Sequence, residues 1–216
     1  MSAQHKRPWL RAVLWLCFLG PYFAITYGWA NSISATKSNV GEIVFAWEQH
    51  IPFLPWTIFF YWFIDIMYGF SFFMAINKRE LDSHGLRLFT AQTIAVICFI
   101  LFPLTYSTTK PETSGLTGTL FDVLQSFDEP FNQTPSLHIA ILVILWSIFN
   151  YRLPKVWRWP LHVITLAIAI SVLTTYQHHF IDVPTGALLG LLCIWLWPFE
   201  GECPLSRRRD GSKRIS

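Results

Sequence analysis

Six apolar stretches, separated by polar loops, constrain the fold of this chain more than any other feature. They cover residues 9–30, 52–76, 88–106, 136–151, 160–177 and 183–199. A helix needs roughly 20 mostly apolar residues to span the hydrocarbon core of a bilayer, and a helix satisfies its own backbone hydrogen bonds, as lipid requires. The sequence therefore predicts an all-α integral membrane bundle of six transmembrane helices over residues 1–199, followed by a basic tail over residues 200–216.

The composition supports the same environment. Hydrophobic residues make up 53% of the 216-residue chain and charged residues 13%, whereas roughly a quarter of the residues in a typical soluble domain are charged. The chain also contains 11 Trp and 19 Phe. A soluble domain of this size has too small a core to bury so many large rings, whereas a bilayer accepts an apolar outer surface. We therefore expect an integral membrane protein.

The distribution of basic residues predicts how the helices are oriented. Lys and Arg favour cytoplasmic loops, and with six spans nearly all of the 16 basic residues fall on one side of the membrane. Only Lys37 and Lys110 fall on the other side. An odd number of spans would break this segregation. The pattern therefore predicts six helices with both termini in the cytoplasm.

The first segment that carries chemistry opens the fourth predicted span on the side away from the cytoplasm. It reads Pro135, Ser136, Leu137 and His138. Proline suits the first turn of a helix, and the free backbone N–H groups at such an end attract anions, phosphate included. Ser136 adds a hydroxyl donor, and His138 follows two residues later. These residues alone fit either a phosphate site or a helix cap with an interfacial histidine.

The second segment lies on the same side, at the junction of the fifth and sixth predicted spans. His178 and Asp182 are four residues apart, so on a helix they share a face. A carboxylate in that position holds one imidazole nitrogen protonated and leaves the other free to attack. Ionisable residues at membrane depth are costly and usually functional. With the Ser–His pair on the same membrane face, this spacing predicts a histidine-based phosphoryl-transfer site.

Three other polar residues on the same side of the membrane are interpreted more simply. His179 adjoins His178 but would point elsewhere on a helix, and we expect it to pack or to face headgroups. Glu48 and His50 precede the second span on the same side. They form either a solvated interfacial pair, which we favour, or a headgroup contact.

Over roughly Phe102 to Gly190, the sequence resembles the type 2 phosphatidic acid phosphatase superfamily of lipid phosphate phosphatases. The second signature motif of that family, Pro-Ser-x-His, is matched by Pro135, Ser136 and His138.

The third family motif ends in His-x3-Asp, with a Ser-Arg pair upstream. His178 and Asp182 match its end, Ser171 stands at the serine position, and Val172 replaces the arginine. The first motif, a lysine followed by Arg-Pro, is degenerate here, with Lys110 standing in for the arginine. With these departures, the sequence resembles the branch that contains inositol phosphorylceramide synthases and sphingomyelin synthases. It resembles bacterial members of that branch in particular.

The resemblance implies a two-step reaction through a phosphohistidine. It assigns His178 as the nucleophile, Asp182 as the group that orients it, and His138 as the acid that protonates the leaving oxygen and then activates the acceptor. It implies substrate contacts from Ser136, Lys110 and Ser171. Whether Lys110 replaces the missing family arginines is left open by the sequence.

The implied activity is a membrane-embedded hydrolase for a lipid or isoprenoid phosphate, facing the periplasm of a bacterial inner membrane. A phosphotransferase that passes the headgroup to an alcohol would use the same residues. A third hypothesis is a non-catalytic membrane scaffold or lipid carrier. We expect a lipid phosphate and the bilayer as partners, and no cofactor, metal or nucleic acid.

Overall fold

The computed structural model of the protein describes residues 7–37, 40–128 and 130–199, and within these ranges it is all-α with no strand. The predicted basic tail lies outside the described residues. The helices are α1 (Trp9–Ala35), α2 (Ile58–Ser71), α3 (Lys78–Leu101), α4 (Gly115–Gln125), α5 (Leu137–Arg152), α6 (Arg158–Thr174) and α7 (Asp182–Leu196). Short 3-10 helices cover Ala46–His50, Pro55–Thr57 and Lys155–Trp157.

Every predicted span contains a helix, but the helices differ in length. Three segments of the described chain are long and apolar enough to cross a membrane, namely Trp9–Ala35, Lys78–Leu101 and Lys155–Thr174. The helices α5 and α7 are apolar but have only 16 and 15 residues. The all-α class and the apolar helices are thus confirmed, while the number of spans and the side of the termini stay predictions.

The helix α4 lies where the sequence reading placed only a loop. Its 11 residues include two glycines and several polar side chains, so it does not have the composition of a span. Phe121 and Leu124 are nonetheless buried, and they belong to the same apolar cluster as residues of α2. This short helix therefore covers the bundle at the end where α5 and α7 begin. We call that end, with its loops, the site end.

The central helix is α5, which packs against α2, α3, α6 and α7, while α1 packs against α3. Its closest neighbour is α7, because two glycines of α7 face it. A Cβ atom at Gly186 would lie 2.4 Å from the carbonyl oxygen of Ser136, and one at Gly190 would lie 2.8 Å from that of Ala140. Small residues allow such close helix contacts in membranes. The close packing brings the first turns of α5 and α7 together.

Large apolar side chains cover much of the outer surface. Exposed examples from five of the helices are Leu10, Ile25, Phe70, Leu101, Trp159 and Trp195. Soluble monomers rarely expose continuous apolar surface of this extent. Together with the apolar helices, this surface indicates a membrane protein.

Ion pairs hold the opposite end of the bundle. Arg11 pairs with Asp82 at 2.5 Å, joining α1 to α3, and Arg152 pairs with the buried Glu80, joining α5 to α3. Both arginines belong to the basic set that predicted the cytoplasmic side. The site end therefore lies at the other end of the bundle from Arg11 and Arg152.

Candidate active site

The candidate site forms where the first turn of α5 meets the first turn of α7. Ser136 is the N-cap of α5, and its Oγ accepts a hydrogen bond from the backbone N–H of Ile139 at 3.3 Å. The backbone N–H of Ser136 in turn donates to the carbonyl oxygen of Asp182 at 3.2 Å. The two segments that the sequence singled out, more than 40 residues apart, are therefore joined directly.

His178 lies between Asp182 and Ser136. Its Nδ1 is 3.2 Å from Oδ2 of Asp182, and its Nε2 is 3.1 Å from Oγ of Ser136. The structure corrects one detail of the expectation, because this pair does not share a helix face. His178 lies in the turn between α6 and α7, and α7 begins at Asp182. The backbone N–H of His178 is held by the carbonyl oxygen of Val172 at 3.1 Å.

Two hydrogen-bond donors and one helix N-terminus stabilise the carboxylate of Asp182. The hydroxyl of Thr134 donates to Oδ1, and the backbone N–H of His179 donates to Oδ2 at 2.9 Å. The helix N-terminus is that of α7 itself, whose partial positive charge favours an anion. Because a carboxylate only accepts hydrogen bonds, Nδ1 of His178 carries the proton. The lone pair of Nε2 then faces Ser136 and the adjoining cavities.

His138 lies one residue into α5 and lines the same cavity as His178. The ring of Tyr61 from α2 stacks on it, with 4.1 Å between centroids and an angle of 22°. Its buried Nε2 has no hydrogen-bond partner among the described residues. Buried polar atoms are nearly always paired. The unpaired Nε2 of His138 is therefore available to bond with a group that enters the cavity.

The cavity shared by the two histidines is mostly apolar and has a volume of about 250 Å³. We call it the apolar cavity. Its lining from α1, α2 and α5 includes Leu19, Phe23, Trp62, Ile64, Leu137 and Ile141. Asp65 and Gln92 also line it. It extends from His138 and His178 into the interior of the bundle.

A second cavity, of about 440 Å³, lies on another side of His178, and we call it the polar cavity. Its lining includes Lys110, Gln125, Asp128, Asn132, Gln133 and Gln177. Nζ of Lys110 donates to Oε1 of Gln177 at 3.1 Å. Burial lowers the pKa of Lys110, and the nearby charge of Asp128 opposes that shift. Burial likewise raises the pKa of Asp128, opposed by its hydrogen bond from Tyr27 and by the nearby charge of Lys110.

The structure does not bring Ser171 to these cavities. Its hydroxyl is fully buried within α6 and donates to the carbonyl oxygen of Ile168 at 2.7 Å. The neighbouring Val172 is also fully buried, in the apolar cluster around α2, α5 and α6. That environment has no space for a solvated guanidinium. The only serine of the predicted set that contacts His178 is Ser136.

Sequence reasoning missed two side chains near the site. Thr134 adjoins the recognised Pro-Ser-x-His segment, and its proximity in sequence was a usable signal. Glu48 was interpreted as half of a solvated pair with His50, and this was wrong. Glu48 is buried and contacts His179 at 3.1 Å. Nothing in a single sequence links residues 131 positions apart.

Over residues 7–37, 40–128 and 130–199, no cluster of three or more His, Cys, Asp or Glu side chains is arranged to hold a metal ion.

The sequence profile of the PAP2 superfamily matches residues 84–199, which is more than half of the chain. The chain belongs to the PAP2 superfamily. Membership indicates a phosphatase or phosphotransferase that acts on a phosphate ester. No curated protein matches the chain. The matched region contains Lys110, His138, His178 and Asp182, whereas α1 and α2, which line much of the apolar cavity, precede it.

Proposed function

We propose that the protein is a membrane-embedded phosphoric-ester hydrolase that acts on a lipid or isoprenoid phosphate through a phosphohistidine on His178. The observation that carries this proposal is the placement of His178. One nitrogen is held by Asp182 at 3.2 Å, while the ring borders both the apolar and the polar cavity. An amphiphile with its chain in the first cavity and its phosphate in the second would present phosphorus to Nε2.

In the first step, the lone pair of Nε2 attacks phosphorus and the bond from phosphorus to the ester oxygen breaks. His138, protonated, donates its proton to that oxygen, and the lipid alcohol leaves. Asp182 stabilises the positive charge that develops on the His178 ring. In the second step, His138 accepts a proton from water, the water oxygen attacks phosphorus, and the bond to Nε2 breaks. General acid–base help of this kind contributes about 10²–10⁴-fold.

Stabilisation of the phosphate oxygens supplies much of the remaining rate. Positioned donors aimed at developing charge are usually the largest contribution to such catalysis. Ser136 and Lys110 are the side chains placed to provide them, and the first turn of α5 adds backbone N–H groups. Ser171 points away from the cavities, so we assign it no substrate contact.

A transferase is the second candidate, because one observation favours it. The polar cavity is lined by four carboxamides and has a single cation, Lys110, and Val172 occupies the family's arginine position. This lining fits an uncharged polar headgroup attached to the phosphate better than it fits a doubly charged monoester. The enzyme would then resemble the inositol phosphorylceramide synthase branch, with an alcohol replacing water in the second step. In either case we propose a site facing the periplasm of a bacterial inner membrane.

The test is to trap the intermediate. Purified protein is incubated with labelled lipid phosphates and phosphodiesters, denatured during turnover, and divided between acid and base. We expect label on His178 that is lost in acid and retained in base. His178→Asn should abolish the label, whereas His50→Asn, a matched change at an exposed histidine of the same end, should not.

Two results would overturn the proposal. Label on Ser136, or turnover with no label on any histidine, would exclude His178 as the nucleophile. If no phosphate ester were turned over or bound covalently, the non-catalytic scaffold would be the better description. Free phosphate and new lipid species, followed in the same reactions, separate the hydrolase from the transferase.

A further inference from the structure

A second carboxylate–imidazole pair lies directly beside the candidate nucleophile. Nδ1 of His179 is 3.1 Å from Oε2 of Glu48. Glu48 belongs to the 3-10 helix Ala46–His50, in the loop between α1 and α2, which precedes the region matched by the family profile. Both side chains are buried, at 4% exposure for His179 and 7% for Glu48. Burying a carboxylate in this way is costly unless it is fully paired, so its partners identify what it does.

Glu48 accepts three hydrogen bonds, and two of them come from the turn that carries His178. Oε1 accepts from the backbone N–H of Phe45 at 2.9 Å, within its own 3-10 segment. Oε2 accepts from the His179 ring and from the backbone N–H of Phe180 at 2.9 Å. The two residues that follow the nucleophile are therefore both bound to one carboxylate group. This fixes the backbone on one side of His178.

The same loop binds the turn on the other side of His178. The hydroxyl of Tyr176 donates to the carbonyl oxygen of Ile51 at 2.8 Å, and the backbone N–H of Leu54 donates to that of Thr174 at 2.8 Å. Tyr176 has a φ of 55°, a conformation that a residue other than glycine keeps only when its surroundings hold it. The loop over residues 45–54 thus holds both ends of the turn.

The contacts of His179 also fix its protonation. Because the carboxylate of Glu48 can only accept a hydrogen bond from Nδ1, that nitrogen carries the proton. Nε2 then accepts a long hydrogen bond, 3.5 Å, from the backbone N–H of Ser107, and Tyr106 stacks on the ring at 4.4 Å. Both nitrogens of His179 are occupied. Of the two adjacent histidines, only His178 presents a nitrogen to the apolar and polar cavities.

We propose that Glu48 is a positioning residue, which acts through His179 and Phe180 to hold the His178 ring in line with the phosphate. This inference rests on the proposed function, because it concerns the reaction at His178. The hydrogen bonds of Glu48 go to Phe45, His179 and Phe180 and not to the ring of His178. A misplacement of about 1 Å can cost about 100-fold in rate. Loss of the contact should therefore lower kcat by about 10- to 100-fold and change KM by less than about threefold.

The first experiment compares Glu48→Gln with Glu42→Gln. Glu42 is an exposed carboxylate in the same loop, so the pair matches the change in charge. Glutamine has one acceptor oxygen and cannot accept from Phe45, His179 and Phe180 together. We expect Glu48→Gln to slow formation of the phosphohistidine and to lower kcat, while Glu42→Gln matches the parent. If Glu48→Gln forms the intermediate within twofold of the parent rate, the proposal is wrong.

The second experiment separates positioning from chemistry at His179 itself. The side-chain N–H of asparagine takes the place of Nδ1–H, so His179→Asn keeps the donor to Glu48 while removing the imidazole. His179→Ala removes both. We expect His179→Asn to retain most of the turnover and His179→Ala to lose as much as Glu48→Gln. Equal losses in His179→Asn and His179→Ala would show that the ring itself is required and would overturn the positioning role.

Nitrogen NMR of the ¹⁵N-histidine-labelled protein gives a readout that does not depend on turnover. The parent should show a proton on Nδ1 of His179 at neutral pH, and Glu48→Gln should shift the ring to the other tautomer or to a mixture. An unchanged tautomer in Glu48→Gln would contradict the assigned contact. If the parent shows no phosphohistidine at all, the proposed function fails, while this measurement still decides whether Glu48 holds His179.

Discussion

Replacing Lys110 by alanine tests how the enzyme holds phosphate without the arginines of its family. The Lys110 ammonium lies in the polar cavity with His178, and its fixed contact is the carboxamide oxygen of Gln177 at 3.1 Å. Gln177 directly precedes His178, the proposed nucleophile, so this contact holds the Lys110 ammonium close to the turn where the phosphate is proposed to bind. The position of the missing arginine is filled by Val172, which is fully buried. Among the residues lining the polar cavity, Lys110 is the only cation.

The expected magnitude follows from the partial burial of this site. A charge-assisted hydrogen bond to phosphate, made by a donor that is positioned before the reaction, stabilises the transition state by about 2–4 kcal/mol. Since each 1.36 kcal/mol corresponds to about tenfold in rate, Lys110→Ala should lower kcat/KM by roughly 30- to 1000-fold. Lys110→Arg keeps the charge and donors, and it should retain substantial activity.

The assay is steady-state release of phosphate or transfer product by detergent-solubilised protein, with folding checked by thermal unfolding. Lys37→Ala is the matched control, because Lys37 is the other basic residue on the predicted outer side and its ammonium donates to the carbonyl oxygen of Ile100. If Lys110→Ala turned over within twofold of the parent, Lys110 would be an ordinary loop residue. The phosphate would then be held by Ser136 and backbone N–H groups alone.

The pH dependence gives an independent check with a defined sign. Burial lowers the pKa of Lys110, so the ammonium loses its proton at a lower pH than an ordinary lysine. Its contribution should be complete below that pKa and should decline as the pH rises through it. Lys110→Arg stays charged throughout the accessible range. In Lys110→Arg, the decline of kcat/KM at alkaline pH should therefore shift to higher pH. An unchanged decline would mean that another group titrates there.

Three further predictions concern topology, packing and the unused serine. Cysteines introduced at Ser114 and at Ser212, which lies outside the described residues, should react with impermeant reagents from opposite sides of the membrane; labelling from one side would mean an odd number of spans. Gly186→Ala should destabilise the protein by about 1–3 kcal/mol through overpacking, because its Cβ would meet a carbonyl oxygen of α5 at 2.4 Å. Gly69→Ala in α2, where no atom lies within 4 Å, should leave thermal unfolding unchanged or slightly raise its midpoint. Ser171→Ala should keep kcat/KM within threefold, and a larger loss would restore its assignment as a substrate contact.

The apolar helices and the approach of the two motifs could be predicted from the sequence because both depend on local patterns. Runs of apolar residues identify membrane helices by length and composition. Pro135, Ser136 and His138 identify a helix start by residue type, and the spacing of His178 and Asp182 identifies a possible ion pair. The predicted helical geometry of that pair was wrong because α7 begins only at Asp182. His178 contacts Asp182 from the turn that precedes α7, and not from the same face of a helix.

The remaining features depend on tertiary contacts that leave no pattern in one sequence. Glu48 looked solvated because it is charged, lies next to Gln49 and His50, and precedes a predicted span. It is buried because the loop folds onto the turn after α6, where His179 and Phe180 donate to it, while Phe45 of its own loop supplies the third N–H. Ser171 fitted the family motif by position, yet the orientation of α6 directs its hydroxyl to the carbonyl oxygen of Ile168. Neither fact follows from residue type or spacing.

The division of the site into two cavities relates the two candidate activities to each other. His138 lines the apolar cavity but not the polar one, so in the proposed mechanism the oxygen that it protonates would belong to the lipid side of the ester. The lipid alcohol would then leave first, and the phosphoryl group on His178 would project into the polar cavity with Lys110. This order of events is common to hydrolysis and headgroup transfer. The two proposed reactions would diverge only afterwards, according to whether water or a second alcohol enters beside His138 in the apolar cavity.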